Sequence, residues 1–369
     1  MRTNWLALTL GLMIAFGGWK AEASSLQTSQ GPLRITKHAE GFDIPWSFAF
    51  LPDGTILITE REGELILLKD GQKKPVVGVP RVAAQGQGGL LDVMIPRDFE
   101  RTREVFLTFS KRQGRGANTA LVRGVLSRSG DRLNDTRILF EAASGATGGR
   151  HFGSRVVEAS DGTLLISVGD RGDRPSAQDL STHQGKVLRI NRDGSIPSDN
   201  PFASTPGTQP EIWSLGHRNP QGMAVDQSGQ LWVAEHGARG GDEVNLIRKG
   251  ANYGWPVISY GRHYSGAKIG EGTAKGGMEQ PQWYWDPSIA PSGMMVYSGA
   301  MWPTWRGNIF VASLKFDMIS RLSGTPLREV ERLQNDDTGR IRDIQEGPDG
   351  AIWFLSETEG ALFRISKGD

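Results

Sequence analysis

Short apolar segments alternate with turn sequences along most of the chain. In Trp46–Thr59, for example, two apolar runs flank Asp53 and Gly54. Asp-Gly and Ser-Gly pairs of this kind tolerate the positive φ angles that tight hairpin turns require. The same two-strand pattern occurs at Trp46–Thr59, Gly89–Phe109, Ser154–Gly169, Asn219–Ala234, Met294–Ala312 and Ile341–Leu355.

This repeated pattern predicts an all-β fold, a six-bladed β-propeller. The units recur roughly every 40 to 75 residues, a spacing typical of blades joined by long loops. No segment has the sustained period of an amphipathic helix. Five or seven blades remain alternatives, because a weak blade leaves little trace in a sequence. Long irregular stretches are candidates for binding loops at one mouth of the axial channel: Ala142–Phe152, Gly169–Gly185, Asp199–Trp213 and Tyr260–Ser292.

The first 23 residues have the features of an export signal. Arg2 supplies a positive charge, Trp5–Trp19 is almost wholly apolar, and Ala21–Ala23 is a small-x-small cleavage site. The apolar stretch is shorter than the about 20 residues that a membrane span needs. We therefore expect a cleaved leader at 1–23 and a single propeller domain at 24–369, periplasmic or secreted and without stable membrane insertion. An uncleaved N-terminal anchor is the alternative.

Composition narrows the classes of function. Lys and Arg number 42 and Asp and Glu 41, so the net charge of +1 gives no reason to expect a nucleic-acid partner. The chain has no cysteine, which excludes thiol catalysis, iron–sulfur clusters and Cys-type zinc sites. The six histidines show no His-x-x-x-His spacing, so a zinc enzyme is not indicated.

Cations recur at the ends of the predicted strands. Arg340 and Arg342 are two residues apart, so both side chains would project from one face of a strand. Lys315 and Arg218 occupy related positions in other units, and residues of different blades converge only at the axis. Converging cations require a ligand with several negative charges, and Arg and Lys bind carboxylates well. The alternative is ordinary ion pairing with nearby acids.

Two further features have the chemistry of a site. His151 lies at the entry to the third unit, where a neutral imidazole could accept a proton from a substrate hydroxyl. Glu235–Asn245 combines carboxylates with glycine-rich turns, and Ca²⁺ favours such carboxylate and carbonyl oxygens. A structural loop histidine and a plain acidic loop are the respective alternatives.

Several short sequence motifs resemble those of soluble glucose and aldose sugar dehydrogenases that use pyrroloquinoline quinone (PQQ). The motifs occur in the same order as in that family and cover nearly all of the chain after the leader. The most specific are Gly-His-Arg-Asn-Pro-Gln-Gly and the downstream Asn-Tyr-Gly-Trp-Pro. The chain is more similar to the compact aldose-oxidising branch than to the larger glucose dehydrogenases. The motifs are Gln87–Asp92, His151–Gly153, Gly216–Ala224, Gly241–Ile247, Gly250–Pro256, Ser313–Lys315 and Arg340–Asp343.

This resemblance implies roles for particular residues. His151 corresponds to the catalytic base and Arg218 to the arginine beside the reacting quinone carbonyl. The polar and cationic side chains that correspond to PQQ contacts are Gln87, Arg218, Asn219, Gln221, Lys315, Arg340 and Arg342.

The resemblance also implies two Ca²⁺ sites. The backbone carbonyls of Gly237 and Ala238 correspond to ligands of the cofactor's Ca²⁺, and Glu243 and Tyr253 to positions of a second, structural Ca²⁺. Ala238 replaces a proline of the family, which a carbonyl ligand tolerates. Arg150 stands where the larger enzymes carry an acid that touches the sugar, so the preferred sugar stays open.

The implied reaction is oxidation of the anomeric hydroxyl of an aldose to a lactone, by hydride transfer to PQQ. The expected partners are a small aldose and an unidentified electron acceptor, and the expected assembly is a monomer or weak dimer. Two other functions remain open. A Ca²⁺-dependent propeller lactonase or hydrolase would not need the cations, and a non-catalytic binding propeller would not need the histidine.

Overall fold

The computed structural model describes residues 23–143 and 145–368. Over these residues the chain forms six β-sheets arranged as six blades, and this confirms the predicted all-β, six-bladed propeller. The predicted leader lies outside the described residues except for Ala23, the first residue of a strand. Cleavage of the leader and the domain boundary at residue 24 stay predictions.

The first two strands are β1 (Ala23–Thr28) and β2 (Gly31–Glu40). Five four-stranded antiparallel blades follow, each made of consecutive strands. Blade one contains β3 (Pro45–Phe50), β4 (Ile56–Glu60), β5 (Glu64–Lys69) and β6 (Gln72–Pro75). Blade two contains β7 (Leu90–Met94), β8 (Glu104–Gln113), β9 (Gly116–Leu126) and β10 (Leu133–Glu141). Blade three contains β11 (Val156–Glu158), β12 (Leu164–Val168), β13 (Lys186–Ile190) and β14 (Ile212–Leu215).

Blade four contains β15 (Pro220–Val225), β16 (Leu231–Glu235), β17 (Asp242–Ile247) and β18 (Trp283–Trp285). Blade five contains β19 (Pro291–Val296), β20 (Ile309–Ser313), β21 (Ile319–Ser323) and β22 (Arg328–Leu333). Blade six joins β23 (Ile341–Glu346), β24 (Ile352–Ser356) and β25 (Ala361–Lys367) to the two N-terminal strands. Because β2 pairs with β25, backbone hydrogen bonds between the two ends of the chain close the ring.

Helical structure is minor. The described residues contain one α-helical turn, α1 (Phe99–Thr102), and two 3₁₀ turns, at Arg174–Gln178 and Pro303–Trp305. Over the same residues no helix has the length and apolar character needed to cross a bilayer.

The hydrophobic core lies between neighbouring blades. Between blades six and one, for example, Phe48 and Ile58 pack in one cluster with Leu355. Similar clusters fill the other five blade interfaces. Since both faces of an inner strand are covered, β4 and β24 are buried along their whole length, which explains their continuous apolar runs. The six repeats seen in the sequence are the first two strands of the six blades.

The innermost strands are irregular where they approach the axis. Their pairing with the second strand shifts register at Pro45/Ser47 in β3, Leu90/Val93 in β7, Pro220/Gly222 in β15, Pro291/Met294 in β19 and Ile341/Asp343 in β23. A bulge of this kind inserts an extra residue and turns its side chain away from the regular alternation. Side chains at these positions therefore reach the axial channel.

A buried ionic network joins five blades at the axis. Arg155 Nη1 lies 2.9 Å from Asp92 Oδ1, and Nη2 lies 2.8 Å from Asp343 Oδ1. Ser47 Oγ is 2.7 and 2.8 Å from the two carboxylates, and Arg155 Nε donates to the carbonyl of Gln221 at 2.7 Å. Arg155 is only 5% exposed. Burial disfavours its charge, but the two aspartates outweigh this effect and raise its pKa.

This network divides the axial channel. A cavity of about 910 Å³ lies on one side and a cavity of about 460 Å³ on the other, with no lining residue in common. Arg155, Asp92 and Asp343 face the smaller cavity, while Leu91 and Arg342, their neighbours along the strands, face the larger one.

We predict that Arg155→Met destabilises the fold by about 3–5 kcal/mol, because it leaves two buried carboxylates without their counter-ion. Arg364→Met is the matched control, since Arg364 pairs with Asp349 at a half-exposed surface position and its loss should cost about 1 kcal/mol or less. Denaturant unfolding of both variants measures the difference. Equal losses would show that the axial ion pairs are no more important than a surface pair.

Candidate active site

The larger cavity is built from the bulges and the loops at one mouth of the channel. Its floor includes Trp46, Leu91, Gln221 and Arg342, each of which occupies one of the bulges. The loop between β16 and β17 supplies residues 236–240 to its lining, and the segment after β18 supplies residues 286–288. The predicted site residues that line it are Gln87, Asn219, Gln221, Gly237, Ala238, Lys315, Arg340 and Arg342. Of the four predicted binding loops, Ala142–Phe152 and Tyr260–Ser292 contribute to the lining, whereas Gly169–Gly185 and Asp199–Trp213 contribute no residue.

Lys315, Arg340 and Arg342 lie on one wall of the cavity. Arg340 precedes β23 and Arg342 occupies its bulge, so the regular alternation expected from the sequence does not apply. Both guanidinium groups nevertheless reach the same carboxylate: Arg340 Nε is 3.2 Å from Glu357 Oε1, and Arg342 Nη2 is 2.6 Å from Glu357 Oε2. One carboxylate thus serves two arginines, and Lys315 has no carboxylate partner in the described part of the chain.

His151 is held by a buried carboxylate. Its Nδ1 lies 2.6 Å from Asp170 Oδ1, and the two side chains are 13% and 1% exposed. Trp255 Nε1 donates to the other oxygen of Asp170 at 2.9 Å, and the Gly172 N–H donates to Oδ1 at 2.7 Å. The hydrogen-bond network therefore assigns the proton to Nδ1, which leaves Nε2 as an acceptor.

Electrostatics keep this imidazole neutral and its partner ionised. Burial lowers the pKa of His151, the hydrogen bond to Asp170 opposes this effect, and the charges of Arg218 and Arg150 lower the pKa further. Burial disfavours the charged form of Asp170, but hydrogen bonds from His151 and Gly172 outweigh it and lower the pKa of Asp170. A neutral base beside an ionised carboxylate is suited to accepting a proton from a hydroxyl.

Arg218 does not join the other cations on the cavity wall. Its guanidinium donates to the carbonyl of Gly237 and packs 5.4 Å from the ring of Trp255. It still approaches the cavity, because Tyr264, a lining residue, interacts with it. Four cations were predicted to converge, but only Lys315, Arg340 and Arg342 do so. Arg218 lies instead beside the glycine-rich turn that contains Gly237.

Backbone oxygens cluster at that turn. A Cβ atom at Gly237 would collide with the carbonyl oxygens of Gly240 and Gly241, so only glycine fits there. The Gly237 N–H is fixed by Asp242 Oδ1 at 2.8 Å. Convergent carbonyl oxygens of this kind are suitable donors for Ca²⁺.

Glu243 and Tyr253 border a small void of about 10 Å³ close to the same turn. Burial and the neighbouring carboxylate of Glu235 raise the pKa of Glu243 to about 8. The hydroxyl of Tyr253 points elsewhere and donates to the carbonyl of Leu246 at 2.6 Å. In the described residues, no group of three or more metal-ligating side chains is present.

Several residues in and around the cavity were not predicted from the sequence. Asp170 and Glu357 are acids that follow the second strand of their repeat, a position that the alternation pattern does not distinguish. His236 lines the cavity, and its Nε2 is buried without a hydrogen-bond partner in the described residues. Burial and the charge of Arg218 lower its pKa to about 3, so it is neutral.

The fold and the site define a propeller enzyme with its active-site cavity at one mouth of the axial channel. The chain belongs to the glucose/sorbosone dehydrogenase family, whose model matches residues 42–364. The protein is therefore an oxidoreductase. The family resemblance inferred from the sequence is confirmed, and the hydrolase and non-catalytic alternatives are set aside.

Individual relatives agree with this assignment. Aldose sugar dehydrogenase YliI of Escherichia coli (strain K12) is 42% identical over 354 residues, which cover 93% of this chain and 95% of that protein. The crystal structure of the soluble aldose sugar dehydrogenase from E. coli in the apo-form superposes with a TM-score of 0.88 at 41% identity, covering 91% of this chain and all of that one. The PQQ-bound aldose sugar dehydrogenase from Streptomyces coelicolor superposes with a TM-score of 0.76 at 25% identity, covering 94% and 99% of the two chains.

We predict opposite shifts in the pKa of His151 from two substitutions. Arg150→Ala removes a nearby positive charge and raises the pKa, whereas Asp170→Asn removes the carboxylate partner and lowers it. Because only the neutral imidazole accepts a proton, activity falls as the pH drops through this pKa, and Arg150→Ala moves that limb to higher pH. NMR titration of the imidazole checks both signs, with exposed Arg128→Ala as the control. Shifts of the same sign in both variants would contradict the assignment.

Proposed function

We propose that the protein is a PQQ- and Ca²⁺-dependent aldose dehydrogenase that oxidises the anomeric hydroxyl of a sugar to a lactone. The observation that carries this proposal is a cavity lined by three cations, with a carboxylate–histidine pair next to it. His151 directly precedes Phe152 and its N–H donates to Gln87 Oε1, and both Phe152 and Gln87 line the cavity. The relatives named above support the sugar substrate, and the PQQ-bound neighbour supports the cofactor.

The cavity wall fits a planar polyanion. Lys315, Arg340 and Arg342 carry three positive charges against the single charge of Glu357, so the wall has an excess of positive charge. Carboxylates form strong charge-assisted hydrogen bonds with such groups, and PQQ carries three carboxylates. The volume of about 910 Å³ lies within the range of ligand pockets, about 300–1,000 Å³.

The glycine-rich turn fits a hard cation. The carbonyls of Gly237 and Ala238 would hold the Ca²⁺ that accompanies the cofactor, and the close approach of Gly240 and Gly241 makes that turn rich in oxygen. A second Ca²⁺ near Glu243 and Tyr253 would favour ionised Glu243, whose carboxylate is otherwise buried beside Glu235. Both sites rest on the donor chemistry and on the family resemblance.

The chain's own residues would perform the proton chemistry. Asp170 holds Nδ1 of His151, so Nε2 accepts the proton of the sugar's anomeric hydroxyl. Arg218 places a positive charge beside the Gly237 carbonyl, where it stabilises negative charge that develops on a neighbouring oxygen. When bound, PQQ supplies the electrophilic quinone carbon that accepts the hydride from C1 of the sugar.

We further propose that residues 1–23 direct export to the periplasm or beyond the cell. Support comes from the charged, apolar and small-residue order of that segment. The partners would be a small aldose and a separate electron acceptor, and the protein would act as a monomer or weak dimer.

The direct test is reconstitution of the apo protein. We expect dye-linked oxidation of aldoses only after addition of both PQQ and Ca²⁺, and we expect EDTA added beforehand to block reconstitution. An assay with NAD in place of PQQ is the control. Full activity after exhaustive removal of PQQ, or activity that requires NAD, would refute the proposal.

The cation wall gives a second prediction. Lys315→Ala, Arg340→Ala and Arg342→Ala should each remove a charge-assisted hydrogen bond, worth about 1.5–3 kcal/mol, and weaken PQQ binding roughly tenfold to a hundredfold. Titration of the apo protein with PQQ measures this directly. Arg328→Ala, an exposed arginine of the outermost strand of blade five, should bind as the parent does. If all four variants bind PQQ equally, the polyanion interpretation of the cavity is wrong.

A further inference from the structure

His151 has a strained backbone. Its φ angle is +55°, in the left-handed region that residues other than glycine rarely adopt, and Ser154 follows at +85°. A left-handed conformation costs such a residue on the order of 1–3 kcal/mol and persists only where the surroundings impose it. The conformation of this loop must therefore be held by contacts from other parts of the chain.

Three side chains hold the loop. The carboxylate of Asp170 fixes the imidazole, as described above, and Gln87 Oε1 accepts the His151 N–H at 2.7 Å. The third is Arg171. Its guanidinium donates to the carbonyl of Arg150, the residue directly before His151, and Nη2 donates to the carbonyl of Gly148 at 2.7 Å.

Arg171 is an unusual residue for a simple structural contact. It is only 3% exposed, and burial lowers its pKa to about 10, so it stays protonated at neutral pH. No carboxylate pairs with its guanidinium among the residues that the structure describes; its partners are backbone carbonyls and the ring of Phe152, whose centroid lies 3.4 Å away. Burial of a charge that lacks a direct ion pair costs free energy, which the carbonyl hydrogen bonds and the charge of nearby Asp170 offset. The planar guanidinium can hold several carbonyls at once in a fixed geometry.

The position of Arg171 couples it to the base. It directly follows Asp170, and a φ angle of +55° at Arg171 with +86° at Gly172 makes a tight turn. One turn therefore supplies the carboxylate that holds the imidazole and the guanidinium that holds the backbone before it. A change at Arg171 would move His151 relative to Asp170.

We propose that Arg171 is a positioning residue, which keeps His151 in its left-handed conformation so that Nδ1 stays on Asp170 and Nε2 faces the substrate. This inference rests on the proposed function, in which His151 is the catalytic base. Arg171 is buried and does not line the cavity, so in this proposal it acts on the reaction through the position of His151.

A double-mutant cycle tests this role. Arg171→Met and Arg171→Lys are made in the parent and in the His151→Ala background, and turnover is measured per reconstituted PQQ. Displacement of a catalytic group by about 1 Å costs on the order of 100-fold, so we expect Arg171→Met to lose 10- to 100-fold in kcat in the parent. PQQ affinity should stay within about twofold, and the same substitution should have no further effect in the His151→Ala background.

A readout in the apo protein makes the result independent of turnover. The proton on Nδ1 of His151 should give a low-field NMR resonance in the parent, and both Arg171 variants should lose or broaden it. Arg189→Met is the matched control, because Arg189 is 7% exposed but pairs with Asp161 and Asp199 on the outer part of blade three. It should lower the melting temperature while the resonance and kcat stay as in the parent.

The outcomes separate the positioning role of Arg171 from the role of His151 as the base. Equal losses from Arg171→Met in both backgrounds, or an unchanged Nδ1 resonance, would overturn the positioning role. If Arg171→Met does not fold, Arg171→Lys, which keeps the charge but loses the fork of donors, decides by the same criteria. Parental turnover in His151→Ala would instead refute His151 as the base, and the resonance would still report whether Arg171 holds the loop.

Discussion

The salt bridges from Arg155 to Asp92 and Asp343 are the interaction on which the rest of the structure depends. A radial array of blades brings the innermost strands together at an axis where apolar side chains would need to meet from six directions. The chain instead uses one guanidinium, two carboxylates and a serine, and every charged atom has a partner. The network fixes the spacing of five blades and forms the partition on which the active-site cavity rests.

The bulges of the inner strands place side chains in the candidate active-site cavity above the ionic network. At a bulge, adjacent residues of an inner strand face opposite sides of the network. In β7, Asp92 belongs to the network and Leu91 lines the larger cavity, and in β23 the corresponding residues are Asp343 and Arg342. The wall of cations is only partly neutralised by Glu357, and this imbalance favours an anionic cofactor over a neutral one. His151, the proposed base, lies in a loop before β11 rather than in a strand, so its position depends on contacts from other parts of the chain.

Local patterns were sufficient for the blades but not for their assembly. The second strands β4, β12, β20 and β24 are buried along their whole length and have largely apolar sequences, whereas β6 is exposed throughout and carries no comparable signal. The pairing of β2 with β25 joins segments more than 300 residues apart, so no local pattern reveals it. At the candidate site, His151, Lys315 and the two arginines were predicted from the sequence, and the three cations line the cavity. Asp170 and Glu357 could not be recognised, because their roles arise from tertiary contacts, and the bulge at Arg342 was not visible as a departure from alternation.

The proposed reaction passes the electrons of the sugar to bound PQQ while His151 takes the proton. It is tested most directly by mixing the PQQ- and Ca²⁺-loaded protein with an aldose, without an electron acceptor and without oxygen, and following the absorbance of the bound cofactor. We expect one rapid reduction of the cofactor, with lactone formed in equal amount. We also expect the same amplitude in His151→Gln, at a rate about 10²–10⁴-fold lower. An unchanged absorbance in the parent, or a parental rate in His151→Gln, would contradict it.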